Sequence, residues 1–126
     1  MAMMLSEVVD ALACEVFSSC ADLETKIEYG CASDLMSDVL AFSQAGALLL
    51  TGLVTKQTIQ AAYIAEIRAI VFVRGKKPDR DIIAFAKEKQ IPLFGTQYSM
   101  YEACGILYKK GLVSTMSAIP CKAIHE

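Results

Sequence analysis

Arg74, Lys76, Lys77 and Arg80 put four basic side chains within seven positions, directly after the uninterrupted apolar run AIVFV. A buried strand opening into a basic, glycine-bearing loop places positive charge beside backbone N–H groups at a chain reversal. Phosphate and carboxylate groups are attracted to that combination. Two further apolar runs end in similar fashion, ALLLT in Thr51 and Gly52, and IPLFGT in Gly95, Thr96 and Gln97, while YGCASD leads into Ser33 and Asp34. In an open parallel sheet the carboxyl ends of neighbouring strands share one rim, and ligands bind there. The expected ligand-binding residues are therefore Asp34, Thr51, Gly52, Arg74, Gly75 and Thr96. Arg74 would contact the anion, the Gly52 and Gly75 amides would cradle it, and Thr51 and Thr96 would orient it. The competing explanation is a loop that is basic only because it is solvated.

Other chemistries find less to work with. A nucleotide-hydrolysing phosphate loop needs G-x-x-x-x-G-K-[ST]; the nearest stretch, TGLVTKQT, lacks the second glycine and the Gly-Lys-Ser/Thr ending, and G-x-G-x-x-G is absent too. Asp34 and Asp38 stand one helical turn apart and could share a divalent cation, although acids in a first turn more commonly complement the helix dipole. The one histidine, His125, lies at the C-terminus, and no G-x-S-x-G elbow exposes a serine. Five cysteines at 14, 20, 31, 104 and 121 form no C-x-x-C and read as small buried hydrophobes. Tyr98 and Tyr101 could close over a ligand at the third strand end or simply pack on a helix. No catalytic residue, cofactor or metal site is expected.

The elements that would position these residues follow from punctuation. The runs ALLLT, AIVFV and IPLF read as strands buried on both faces, with Pro92 tolerable only near the start of the third. Between them lie helical patterns. Ser33 or Asp34 caps one carrying Leu35, Met36, Val39 and Leu40 and ending before Gly46; Thr55 opens a second; Pro78 and Asp79 begin a third. Ser99-Met100-Tyr101-Glu102 is a capping box for a fourth helix that runs to about Lys110 and stops at Gly111. Such alternation implies right-handed βαβ crossovers and a mainly parallel sheet covered on both faces, a three-layer α/β/α fold. Before residue 33 the pattern is fainter: a helix capped by Ser6 and running through Ala13, a short strand CEVFS and another in KIEYGCA.

The chain of 126 residues fits one domain, 1–126, in which 112–126 reads as an aperiodic tail. Its composition is 55% hydrophobic with a mean hydropathy of +0.42, which predicts an apolar surface shared with a second copy, a homodimer. No stretch reaches the roughly 20 apolar residues of a membrane span. Glu7 and Asp10 interrupt the N-terminal stretch early, unlike a signal peptide, so a cytoplasmic protein is expected. Charge is uneven: residues 1–38 hold eight acids and one base, and residues 39–126 hold eleven bases and six acids, giving the net −2. Neither part is extreme enough to indicate nucleic acid.

Three stretches taken in order, YGCASDLMSDVLAF, GALLLTGLVTKQTIQAA and AIVFVRGKKPDRDIIAFAKEKQIPLFGTQYSMYEACGIL, together resemble the DRTGG domain family over roughly residues 27 to 108. The resemblance implies a compact α/β/α domain that self-associates. It also implies a regulatory module, found beside catalytic or CBS ligand-sensing domains or as small stand-alone proteins. One family host is a kinase, but its phosphate loop belongs to a different domain. The eponymous Asp-Arg-Thr-Gly-Gly is missing here, and Thr51-Gly52-Leu53-Val54-Thr55 stands in the corresponding loop. Three functions stay open at this point. The first is a homodimeric sensor of a small anionic metabolite or nucleotide that signals to a partner protein. The second is a ligand-free adaptor docking a partner enzyme through residues 112–126, and the third a redox sensor using Cys31 or Cys104.

Overall fold

The computed structural model describes residues 2–18 and 22–115. In chain order the elements are β1 (Met3–Met4), α1 (Leu5–Ala11), β2 (Glu15–Ser18), β3 (Lys26–Ile27), β4 (Tyr29–Ala32), α2 (Met36–Phe42), β5 (Ala47–Thr51), α3 (Lys56–Ile64), β6 (Ala69–Phe72), α4 (Arg80–Glu88), β7 (Leu93–Gly95), α5 (Met100–Lys109) and β8 (Val113–Ser114). Six strands form one sheet in the order β2-β7-β6-β5-β4-β8, and β1 pairs with β3 apart from it. Strands β4, β5, β6 and β7 run parallel, joined by β4–α2–β5, β5–α3–β6 and β6–α4–β7 crossovers. Edge strand β2 pairs antiparallel with β7, and β8 pairs parallel with β4. This is the mainly parallel α/β/α architecture the alternation implies.

Pleating sorts the sheet's side chains into two cores. Leu48, Leu50, Ala69, Val71, Val73 and Phe94 face α1 and α5, while Ala47, Leu49, Ile70, Phe72 and Leu93 face α2, α3 and α4. Every residue of β5, β6 and β7 is buried, which is why those segments are continuous apolar runs rather than alternating ones.

Caps hold the helices at the rim where the strands end. Thr55 accepts a hydrogen bond from the Thr58 amide, Asp79 from Ile82, and Ser99 from Glu102. The first part of the chain departs from the expected boundaries. Met4, not Ser6, caps α1, because the Glu7 carboxylate accepts the Met4 amide at 2.9 Å. KIEYGCA divides into β3 and β4, which serve different sheets. Leu35, not Ser33 or Asp34, is the N-cap residue of α2; Ser33 closes a two-residue turn by accepting the Leu35 amide. Gly111 adopts φ +107 after α5, as a helix stop should, but the following residues add β8 to the sheet edge. The rest of the expected tail, 116–126, lies outside the described residues. No helix among the described residues is long and apolar enough to cross a membrane.

Candidate functional site

Because β4 to β7 are parallel, their carboxyl ends fall on one rim. The Ser33 amide donates to the Leu50 carbonyl, Val73 to Thr51, and Thr96 to Phe72, which staggers the four strand exits side by side. Asp34, Thr51, Gly52, Arg74, Gly75 and Thr96 all stand on these exits.

Asp34 crosses from the end of β4 to the end of β5. Its Oδ1 accepts from the Thr51 hydroxyl at 3.0 Å and from the Gly52 amide at 2.6 Å. The Thr51 oxygen in turn accepts the Leu53 amide at 3.1 Å, so a buried threonine and an exposed carboxylate lock the β5 exit. Oδ2 of Asp34 has no hydrogen bond among the described residues. A Cβ placed on Gly52 would lie 2.9 Å from Arg74 Nη2 and 3.5 and 3.6 Å from the Asp34 carboxylate oxygens. The guanidinium and the carboxylate therefore flank the same bare patch of backbone, and the absent side chain is what makes the patch bare.

Arg74 is exposed and carries φ +59, followed by Gly75 at φ +70. Two consecutive left-handed residues turn the chain sharply out of β6; the Arg74 amide donates to the Tyr98 carbonyl at 2.8 Å and the Gly75 amide to the Thr96 carbonyl at 2.9 Å. An arginine in this region costs about 1–2 kcal/mol relative to right-handed backbone, and such strain concentrates at functional positions. No ion pair or hydrogen bond engages the Arg74 guanidinium among the described residues. Lys77 differs: its Nζ lies 3.4 Å from Glu15 Oε1, an exposed pair of little energetic weight.

Thr96 serves the scaffold. Its buried hydroxyl donates to the Leu12 carbonyl at 2.6 Å and accepts the Tyr98 amide at 3.3 Å, tying the β7 exit to the end of α1. The Gly52 and Gly75 amides likewise have acceptors already, so recognition of an anion at this rim falls first to side chains. Gly75 and Thr96 border a cleft of about 140 Å³ together with Phe17, Lys76, Lys77 and Gln97. That is smaller than the roughly 300–1,000 Å³ of a ligand-enclosing pocket. The residues around Gly52 and the cleft beyond Gly75 are neighbouring parts of one open, basic rim. Tyr98 and Tyr101 are both solvent-exposed, Tyr101 at 88%.

A larger groove of about 710 Å³ lies elsewhere, along α5 beside β4 and β8. Its walls include Cys31 and Cys104, whose thiols are pushed up from the ordinary value chiefly by burial. Cys14, against the α1 and α5 core, is raised to about 12 for the same reason. Reactive cysteines need a depressed pKa, so the environment of these three thiols opposes a redox role. No cluster of three metal-ligating side chains occurs among the described residues.

Sheet, rim and unclustered acids define a three-layer α/β/α domain whose parallel strand ends present one exposed arginine, an acceptor carboxylate and bare backbone. The chain belongs to the DRTGG domain family, whose model matches residues 7–109. No curated protein matches it. Among solved structures it is similar to the CBS and DRTGG domains of the regulatory region of Clostridium perfringens pyrophosphatase, crystallised with its activator, diadenosine tetraphosphate. The TM-score is 0.71 at 14% identity, a likeness of fold covering 94% of this chain and 51% of that one. The chain thus spans about half the length of that regulatory region.

Proposed function

We propose that this domain is non-catalytic and regulatory: it binds a small anionic metabolite or nucleotide at the strand-end rim as a homodimer and conveys occupancy to a partner protein. The observation that carries the reading is Arg74, an exposed guanidinium held over Gly52 by a strained backbone and engaged by no carboxylate among the described residues. Ala13, Glu66 and Gln90 share a positive φ, so it is the position of the guanidinium over Gly52, beside Asp34, and not the φ alone, that supports the reading.

The neighbouring Asp34 narrows the ligand class. A bare anion would meet repulsion from this carboxylate, whereas a nucleotide or sugar phosphate offers phosphate oxygens to Arg74 and hydroxyl donors to Oδ2 of Asp34. Acidic residues at the rims of open α/β sheets accept ribose hydroxyls in that way. Membership in the DRTGG family and the nucleotide activator of the fold neighbour support the same reading.

A thermal-shift screen of nucleotides and phosphorylated or carboxylated metabolites tests it. A ligand at a hundred times its dissociation constant adds about 2.7 kcal/mol, on the order of 10 °C in Tm for a domain of this size. The rise should vanish in Arg74→Ala. A panel that moves neither protein contradicts the reading.

A further inference from the structure

The two faces of the sheet are unequally covered. Among the described residues, three helices, α2, α3 and α4, pack on one face, and two, α1 and α5, on the other. Beside α5 no described element covers the sheet, and a groove of about 710 Å³ lies there, floored by Gly30, Ala32 and Leu50 and walled by α5. The side of α5 that lines it reads Tyr101, Gly105 and Tyr108, spaced four and three residues apart and so on one face of the helix. Tyr101 and Tyr108 are 88% and 72% exposed. A Cβ added to Gly105 would meet nothing within 4 Å, so nothing among the described residues of one chain requires glycine at the centre of this helix. Close approach of a second helix backbone does require it.

Charge identifies that helix. Flanking that face about a quarter-turn round the helix, and also lining the groove, are Glu102, in the first turn of α5, and Lys109, in the last. Neither forms an ion pair among the described residues. We propose that a second copy of this chain fills the groove, its α5 antiparallel to the first about a twofold axis near Gly105. Glu102 of each copy then lies beside Lys109 of the other at both ends, and Tyr101 beside that lysine as a ring for its ammonium group. The helix dipoles oppose, and the apolar middle is buried twice over. A parallel arrangement would bring like charges together, and an apolar small molecule would leave both ends unmatched.

This interface rests on the homodimeric state proposed above and can fail separately from it. Sedimentation equilibrium of the full chain at low ionic strength reads the dimer dissociation constant. Lys109→Glu turns two attractions into repulsions and should raise it about tenfold or more. The double variant Glu102→Lys with Lys109→Glu should restore it, and Gly105→Arg should abolish the dimer with the circular dichroism of the monomer unchanged. A wild-type chain that stays monomeric at about 100 μM would overturn both the interface and the homodimer. A dimer indifferent to these substitutions, or a double variant without rescue, would overturn this interface alone and point to residues 116–126 or another protein as the occupant.

Discussion

At the scale of single residues, Arg74 occupies backbone that glycine would adopt more cheaply, with φ +59. Arg74→Gly relieves about 1–2 kcal/mol of strain and adds about 0.5–1 kcal/mol of unfolded-state entropy, so stability should hold or rise by up to about 1.5 kcal/mol. Ligand binding should be lost all the same; urea denaturation beside a titration of the same variant separates the two effects, and a destabilised Arg74→Gly would show that the side chain serves the fold. Gly52→Ala is the complementary change. The added Cβ meets the tip of the flexible Arg74 side chain at 2.9 Å, so the guanidinium is displaced at little expense to the scaffold. Tm should stay within a few degrees of wild type and affinity should fall about tenfold, the loss of a weakened charge-assisted contact. Thr96→Val should be costly for the opposite reason: it leaves the buried Leu12 carbonyl without its 2.6 Å donor, a loss of about 1–3 kcal/mol. The thiols give a pH signature. Burial raises Cys14 from 9.0 to about 12. Between those values the unfolded chain loses this proton first, so stability contributed by the protonated thiol is complete below pH 9 and declines as pH rises toward 12. Denaturation midpoints should fall less steeply across that window in Cys14→Ala.

At the scale of elements, legibility followed the range of the interactions that form each one. β5, β6 and β7 are continuous apolar runs because both of their faces are buried, and the caps Thr55, Asp79 and Ser99 bond amides three residues away; such signals are local and were plain in the sequence. Asp34 looked like one more cap, but its partners are Thr51 and Gly52, 17 and 18 residues on, and nothing in the local pattern separates the two roles. Thr96 stood correctly at a strand end, yet its hydroxyl is committed to Leu12, 84 residues away. β1, β3 and β8 are two residues each, too short for any period. β2 was readable as a strand, but its antiparallel direction depends on how α1 returns the chain to the edge of the sheet. The α5 groove was missed altogether. Its only trace in the sequence is a glycine between two tyrosines at helical spacing, and the empty space beside them is a tertiary fact. Gly105→Ala, read in a monomeric background, should stabilise the chain by about 0.5–1 kcal/mol, the helix-propensity difference, since no neighbour resists the methyl group. A destabilisation would mean that the glycine is needed within one chain after all.

At the scale of the molecule, the mainly parallel sheet presents two distinct surfaces, its strand-end rim and the flank along α5. In the proposed reading the strand ends take the ligand and the flank along α5 takes a second copy. Helix α5 starts at the rim, at Met100, and passes down the groove, and the 96–98 turn before it is hydrogen-bonded to Arg74 and Gly75, so a ligand that moves Arg74 would bear on the element that would bind the other subunit. The ¹⁵N amide shift map of the labelled chain during titration with ATP tests the central claim most directly. Progressive, saturable shifts at Gly52, Arg74, Gly75 and their neighbours, absent in Arg74→Ala, are the predicted result. Shifts confined to Gly30 and residues 104–108, or none at any ATP concentration while other nucleotides and sugar phosphates are equally silent, would contradict it.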